Sequence, residues 1–379
     1  MSDYEYDQES LDEGLDNPDV VTKYKAAAKI VNNAIAAIVD KCKAGAKVVD
    51  LCDAGDSFVT EHVSKEFKGK DIEKGISVPT CISVNHCVGH FSPLNDCTQE
   101  LKDGDMVKID LGCHIDGYTV QAAHTVVVQS GDAPITGRAA DVMQATSMCY
   151  EAAARLIKPG KKVADVAPVL AKIAEAYGCN HIEGVMSNQM SRFIIDAGKV
   201  VLNRPQPDQR VEDEEFEEGE VYSIDMIVST GDGKPKMADE KETTVFKRAL
   251  ETQYQLKIKA SRELFAEINK KYPTMLFSLR GIDGTAGKTR LGLADCLNHG
   301  LLHAFPVTYE KEEDLVAQVK GTFLLMPNGS DRLNQFPQQT VQSDKSVDDE
   351  EIKALLSTSL KKKKGKKAKK AAAAAAASS

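Results

Sequence analysis

The chain has 379 residues, of which 42% are hydrophobic and 28% are charged, a composition typical of a globular protein with one large domain or two small ones. Its net charge is −9, but eight lysines lie within residues 361–370, so the remainder carries −17. The acidic first segment has no apolar run, and no apolar stretch approaches the roughly 20 residues that span a bilayer. We therefore expect no signal peptide, no transit peptide and no membrane partner. Nine scattered cysteines predict reduced thiols in a cytosolic or nuclear protein.

The first elements along the chain are predicted to be helices. Residues 1–16 are acidic and are expected to be disordered. Asn17-Pro18 is typical of a helix start, and apolar residues then recur at helical spacing until Gly45 ends the run. A second helix is predicted at about 48–66.

Strands and a second pair of helices follow. The segments KGISVPTCISVNH and MVKIDLGCHI-DG-YTVQAAHTVVV favour strands, and the Asp116-Gly117 pair between two alternating runs predicts a hairpin. The elements expected next are helices at about 138–157 and 163–177, and strands around 180–186 and 220–228.

An internal repeat with an offset of 115 residues relates the two parts of this pattern. KAGAKVVDL (43–51) matches KPGKKVADV (158–166), and ELKDGDMVKID (100–110) matches EFEEGEVYSID (215–225) without a gap. The same offset in two different types of element indicates a duplicated half, with two helices and two strands, packed around a pseudo-twofold axis. The repeat is too long for a solenoid unit.

The last third of the chain departs from the repeat. Residues 247–303 predict a helical insertion, and strand patterning resumes at VAQVKGTFLLMPNG (316–329). We place the main domain at 17–345 and a C-terminal tail at 346–379. The tail ends in a lysine run and polyalanine, which cannot build a core.

The duplication places Asp110 and Asp225 at equivalent strand positions, where symmetric carboxylates form a natural metal cradle. At these residues the sequence resembles the type 2 methionine aminopeptidases, which belong to the creatinase (M24) superfamily. The resemblance covers about 17–345. Four segments carry it in the right order and spacing: CISVNHCVGHFSP, KIDLGCHIDGYTVQAAHT, YSIDMIVSTGDGK and AQVKGTFLLMPNG. It implies the α/β pita-bread fold of two duplicated halves, with a helical insertion typical of type 2.

The resemblance also implies five metal-binding positions. The enzymes bind two divalent metals through two Asp of one hairpin, one His and two Glu, because hard dications require bridging carboxylates and imidazole. The matching residues of this sequence are Asp110, Gln121, Asn188, Asp225 and Lys320. Three of the five ligands are therefore replaced. His90 matches a substrate-contacting histidine and is interpreted as a pocket histidine of a vestigial substrate site.

The charges at these positions argue against a dinuclear metal site. Four carboxylates balance two dications in the enzymes, whereas two carboxylates and one lysine leave −1 here. An ammonium about 4 Å from a dication costs several kcal/mol in a partly buried site. We therefore expect no metal, no cofactor and no catalytic residue, and expect Lys320 to pair with Asp110 or Asp225.

With three of the five metal ligands replaced, the sequence resembles the eukaryotic proliferation-associated proteins, also called ErbB-receptor-binding proteins. That resemblance implies a non-catalytic protein that binds structured RNA and ribosomes or pre-ribosomes and regulates ribosome biogenesis, translation and growth. The implied partners are ribosomal RNA and the large ribosomal subunit, with DNA and regulatory proteins as further partners. Two alternatives stay open, an active metal-dependent methionine aminopeptidase and a DNA-binding transcriptional cofactor.

The lysine run supports nucleic-acid binding from the residues themselves. Its eight lysines can neutralise several phosphates, which predicts salt-sensitive binding with little dependence on base sequence. The run also fits a nuclear or nucleolar address, so we expect the protein in the cytoplasm and in the nucleus, including the nucleolus. The candidate nucleic-acid-binding residues are Lys361, Lys362, Lys363, Lys364, Lys366, Lys367, Lys369 and Lys370. Nine basic residues of the insertion, among them Lys247 and Arg280, are weaker candidates for RNA contact.

Overall fold

Seven α-helices and fifteen β-strands lie in the part of the chain that the computed structural model describes, residues 14–204, 214–282 and 286–361. The helices are α1 (Pro18–Val39), α2 (Val48–Lys65), α3 (Gly137–Leu156), α4 (Val166–Ala176), α5 (Lys259–Lys271), α6 (Ala286–Asn298) and α7 (Glu350–Leu356). The strands are β1 (Lys74–Val84), β2 (Cys87–Gly89), β3 (Met106–Ile115), β4 (Tyr118–Val127), β5 (Asn180–His181), β6 (Met186–Ser191), β7 (Ile194–Leu202), β8 (Val221–Ser229), β9 (Lys236–Met237), β10 (Val245–Arg248), β11 (Phe277–Ser278), β12 (Leu302–Phe305), β13 (Thr308–Tyr309), β14 (Val316–Met326) and β15 (Gly329–Arg332).

Helix α1 begins where the sequence predicts it. Pro18 takes the first helical position, and the Asn17 side chain accepts a hydrogen bond from the backbone N–H of Asp19 at 2.8 Å. Such a cap satisfies one of the free donors at a helix start. Leu15, inside the segment expected to be disordered, is already buried. Residues 1–13 lie outside the described ranges.

One antiparallel sheet of nine strands organises the molecule. Its strand order is β1-β3-β4-β14-β8-β6-β7, with β15 on β14 and β5 on β8. Helices α1 and α2 pack on strands β1, β3 and β4, while α3 packs on β8 and β14. We call the face that these helices cover the helix face. Because side chains alternate along a strand, every second residue points to the opposite face.

The predicted duplication is present in the backbone hydrogen bonds. Lys47 forms an isolated antiparallel bridge with Glu100, and Lys162 forms the equivalent bridge with Glu215. In each half, the loop that leads into the second helix is thereby joined to the segment that precedes the strand containing Asp110 or Asp225. Two helices and their strands thus occur twice, with β4 and β14 adjacent at the centre of the sheet, which confirms the predicted α/β pita-bread fold.

The insertion is a small unit of mixed structure. Helices α5 and α6 pack together, and strands β11-β10-β12 form a separate sheet beside them. The guanidinium of Arg280 joins this unit to α2, because Nη2 lies 2.5 Å from Asp56 and Nε lies 2.8 Å from Asp53. The insertion is therefore fixed against the first half by a nearly buried arginine.

The described body continues beyond residue 345, the predicted end of the main domain. Helix α7 contacts α3, and Ile352 is buried in the hydrophobic core that also contains residues of α3 and α4. Lys361 then bridges Gly329 of β15. Across the described ranges no helix has the length and apolarity that crossing a membrane requires.

Candidate functional site

Three strands bring the predicted acidic and basic positions together. Lys320 of β14 is the direct cross-strand partner of Asp225 of β8, and Ala123 of β4 is paired with both Lys320 and Asp110. Directly opposed residues of an antiparallel pair share a face. Asp110, Asp225 and Lys320 therefore lie on the face opposite the helices, which we call the site face.

The Lys320 ammonium lies between the two carboxylates. Its Nζ is 2.6 Å from Asp110 Oδ2 and 3.1 Å from Asp225 Oδ2. The side chains of Lys320 and Asp110 are 8% and 6% exposed, so water screens the contact weakly. The expected pairing with one aspartate is thus present with both, and one cation sits between two anions.

A neighbouring amide completes this cluster. The Gln318 side-chain amide donates to Asp225 Oδ1 at 2.9 Å and more distantly, at 3.4 Å, to Asp110 Oδ2. Gln318 was not among the residues predicted from the sequence. Its position two residues before Lys320 was an available signal, since residues i and i+2 of a strand share a face.

The charge balance of the cluster shifts two pKa values. Burial opposes ionisation of Lys320, but Asp110 and Asp225 outweigh it and raise the pKa of the ammonium. Burial also raises the pKa of Asp225. Lys320 opposes that rise but does not cancel it, because the same cation is shared by two carboxylates. Lys320 is consequently charged over the whole physiological pH range.

The other two predicted positions lie on the same face without completing a metal site. Gln121 is opposite Gly112 on the hairpin, and its Oε1 accepts a bond from the Ser223 hydroxyl at 3.3 Å. Asn188 of β6 is paired with Ser223 of β8. Ser223 lies two residues before Asp225, so Asn188 is on the same face of the sheet as Asp225. An amide at each place supplies no charge to offset a dication.

This donor set does not fit a pair of divalent metal ions. Two carboxylates face an ammonium that is already in contact with both, whereas dications need additional anionic oxygens in that space. Among the described residues, no group of three or more His, Cys, Asp and Glu side chains is arranged to hold a metal ion. The chemistry that this cluster supports is ion pairing across the seam between the two halves.

His90 lies in a wall made partly by the insertion. Its backbone has a φ of 61°, a left-handed conformation that is uncommon outside glycine. The ring meets Phe305 of β12 edge-on, with centroids 5.4 Å apart. Burial lowers the pKa of His90 to about 4, and the nearby charge of Lys320 contributes to the shift. The imidazole is therefore neutral at physiological pH. The sequence did not reveal Phe305, because its approach depends on how the insertion docks.

Only the first of the predicted nucleic-acid-binding lysines is described. Lys361 forms an ion pair with Asp331, and its side chain is 50% exposed. Lys362 and all later lysines of the run lie outside the described ranges. Two insertion candidates are engaged internally, since Lys247 pairs with Asp196 at 2.5 Å and Arg280 is 5% exposed against Asp53 and Asp56.

Comparisons with known proteins agree with this architecture. The sequence pattern of metallopeptidase family M24 matches residues 22–256. The ErbB-3 binding protein 1 of Solanum tuberosum is 51% identical over 364 residues, covering 95% of this chain and 92% of that protein. Proliferation-associated protein A of Dictyostelium discoideum is 46% identical and covers 92% and 91%.

A solved structure extends the similarity to three dimensions. The structure of a thermophilic Arx1 superposes with a TM-score of 0.86 at 30% sequence identity. The match covers 91% of this chain and all of that one. The three-dimensional similarity therefore extends over most of this chain.

Proposed function

Because the chain belongs to metallopeptidase family M24 and to the group of ErbB-3 binding and proliferation-associated proteins within it, we propose that it is a non-catalytic member that binds structured RNA and ribosomes. In this proposal the aminopeptidase scaffold serves as a binding platform, and the protein regulates ribosome biogenesis, translation and growth. It would act in the cytoplasm and in the nucleus, including the nucleolus.

One observation carries the non-catalytic part of the proposal. Lys320 Nζ contacts Asp110 and Asp225 at 2.6 Å and 3.1 Å, in the space where a bridging anion is required between paired metal ions. Catalysis by such a centre depends on a metal-activated water. With an ammonium in that space, the site has no means of generating the nucleophile.

The binding part of the proposal is supported by charge and by resemblance. The body carries −17 and the lysine run carries +8, so attraction for phosphate is concentrated at one end of the chain. Lys361 fixes the start of that run to β15 through its bridge with Gly329. The resemblance described in the sequence analysis implies ribosome binding, and the Solanum tuberosum relative is named for binding a protein.

Co-sedimentation with large ribosomal subunits across a series of KCl concentrations tests RNA and ribosome binding. Full-length protein is compared with a chain that ends at Lys361 and with a matched control that ends at Lys370 and lacks only the polyalanine segment. We expect the first truncation to weaken binding and to flatten the dependence of log K on log salt by up to about 5 units. The control should bind like the full-length chain. If neither full-length protein nor control sediments with subunits at low salt, ribosome binding is wrong.

A peptidase assay tests the first alternative separately. Purified protein is incubated with a Met-Ala-Ser peptide and Co²⁺ or Mn²⁺, and release of methionine is measured. We expect none. Turnover that disappears in Asp110→Ala would establish an active aminopeptidase instead. Competition between ribosomal RNA and duplex DNA for the full-length protein separates the second alternative, since a DNA-binding cofactor would favour the duplex.

A further inference from the structure

A cavity of about 570 Å³ lies on the helix face, on the other side of the sheet from Lys320. Val319 and Ala317 of β14 form its floor, and His124 of β4 lies beside them. Along β14, Ala317 and Val319 alternate with the site-face residues Gln318 and Lys320. Cavities of about 300–1,000 Å³ are typical of small-molecule sites, and the metal-site resemblance does not account for this one.

Helix α3 and a C-terminal segment form the walls of this cavity. We call residues 333–342 the strap. The strap is fastened at one end by Asn334, whose Oδ1 accepts from the Thr322 backbone N–H at 2.8 Å. At the other end the Gln339 side chain makes two hydrogen bonds, both of 2.8 Å, with the backbone of Val127. The cavity is thus a built space with a fixed cover.

Two polar side chains in the walls are buried with few partners. Tyr150 is 3% exposed, and its hydroxyl makes no hydrogen bond with any described residue. His124 is 9% exposed, and a ring nitrogen faces the backbone carbonyl of Pro337, although neither ring nitrogen makes a hydrogen bond of normal geometry with the described residues. A buried polar group without a partner loses the hydrogen bonds that water supplies in the unfolded chain, so these side chains favour a ligand with matching polar groups.

Arg332 determines the chemistry of that ligand. Its Nη1 donates to Glu151 at 2.7 Å, whereas Nε and Nη2 are buried and have no partner among the described residues. Nε and Nη2 form one edge of the guanidinium, and two parallel donors of this kind match the two oxygens of a carboxylate. The plane is held by stacking over Tyr150, with the guanidinium carbon 5.3 Å from the ring centroid.

The local charge also favours an anion. Glu151 pairs with Arg155 at 2.5 Å as well as with Arg332, so two guanidinium groups face one carboxylate and leave a net charge of +1. Burial lowers the pKa of His124 to about 4, so its neutral ring adds one donor and one acceptor. The parallel stack of His124 on Phe336, with centroids 5.1 Å apart, provides a flat wall.

We propose that this cavity binds a small organic carboxylate, with its oxygens on Nε and Nη2 of Arg332 and on the Tyr150 hydroxyl. An apolar body on the carboxylate would lie along Val319 and Phe336. The Tyr150 hydroxyl occupies space that is open because residue 321 is glycine. A Cβ at Gly321 would lie 2.1 Å from the hydroxyl oxygen. The proposal does not depend on the ribosome-binding function, and its test involves neither RNA nor the lysine run.

Fluorine NMR on the full-length protein tests the site with 4-fluorobenzoate as the probe and 4-fluorobenzamide as its uncharged counterpart. We expect the benzoate to bind at least about tenfold more tightly than the amide, since the charge-assisted pair is lost in the amide. Arg332→Gln and Tyr150→Phe should each weaken benzoate binding by about tenfold or more. Arg290→Gln, the same change on the exposed surface of α6, should leave binding unaltered.

Three results would overturn the proposal: no benzoate binding to the wild type at millimolar concentration, equal affinity for benzoate and benzamide, or binding that survives both cavity variants. Tyr150→Phe keeps the ring that packs against Phe323, and Glu151 keeps Arg155 when Arg332 is replaced. Circular dichroism of each variant should accordingly match the wild type, so a loss of binding reports on the site.

Discussion

Lys320 and Asp225 are direct partners across strands β14 and β8, and their side chains meet with Nζ 3.1 Å from Oδ2. The same ammonium reaches Asp110 from the other half of the duplication. One lysine thus neutralises charge that both halves contribute. Removing it would leave two carboxylates facing each other in a buried space.

Lys320→Met should destabilise the protein at pH 7 by roughly 3–5 kcal/mol, because it leaves buried carboxylates without a cation. Urea unfolding followed by circular dichroism measures the change. The control is Lys311→Met, which removes a lysine that is 64% exposed and 3.7 Å from Asp232. Exposed pairs contribute about 0–1 kcal/mol. Equal stability of the two variants would show that the ion pairs of Lys320 contribute no more to the free energy of unfolding than an exposed pair does.

Restoring the three replaced ligands, together with a glutamate in place of Asp225, should create a metal site. The variant combines Lys320→Glu, Gln121→Asp, Asn188→His and Asp225→Glu. Together with Asp110, these residues reproduce the five ligands that the resemblance to methionine aminopeptidases implies. Isothermal titration with Mn²⁺ should show saturable binding to this variant and none to the wild type. Lys320→Glu alone is the matched control and should bind weakly, because amides remain at positions 121 and 188. Two tight Mn²⁺ ions in the wild type would contradict the non-catalytic proposal.

Buried histidines should make the fold sensitive to acid. Burial lowers the pKa of His181 to about 4 from its ordinary value of 6.5, so the unfolded chain takes up its proton first as the pH falls. The free energy of unfolding therefore decreases between about pH 6.5 and pH 4, by about 2 kcal/mol at pH 5 for this residue.

His181→Gln removes that contribution and should flatten the pH dependence in this window. Urea unfolding of the variant and the wild type at pH 7.5, 7, 6 and 5 measures the difference. From pH 7.5 to 7 the two curves should run parallel, because neither state binds the proton there. A variant that keeps the full wild-type slope down to pH 5 would mean that His181 is not held neutral by burial.

Arg280→Met should loosen the insertion from the first half of the molecule. The arginine contacts Asp53 and Asp56 of α2, and burial already raises the pKa of Asp56, although Arg280 opposes that rise. Loss of the cation should cost roughly 3–5 kcal/mol. Hydrogen exchange should show faster exchange in α5 and α6, whereas Arg290→Met, on an exposed face, should show the wild-type pattern. Unchanged exchange in Arg280→Met would indicate that apolar packing alone holds the insertion.

Local patterns in the sequence predicted the elements that depend on nearby residues. Asn17-Pro18 specified the start of α1, and Asp116-Gly117 specified the β3–β4 hairpin, because both signals arise from short-range backbone geometry. The 115-residue offset predicted that Asp110 and Asp225 are equivalent, since duplicated segments fold alike. The pairing of Lys320 followed from charge alone.

Features that depend on distant packing were not predictable in this way. The approach of Phe305 to His90 depends on how the insertion docks, and the burial of Ile352 depends on α7 returning to α3. The cavity under the strap joins His124 to Arg332, which are more than 200 residues apart in the chain. No local pattern reports such a meeting, because it is created only when the strap crosses the completed sheet.

Strands β4 and β14 lie side by side at the centre of the sheet, with β3 beyond one and β8 beyond the other. Lys320 projects from β14 and is long enough to reach the carboxylate on β3 as well as the one on β8. A short side chain at that position would meet only one of the two. A single long side chain at this central boundary therefore sets the electrostatic potential on both sides of it.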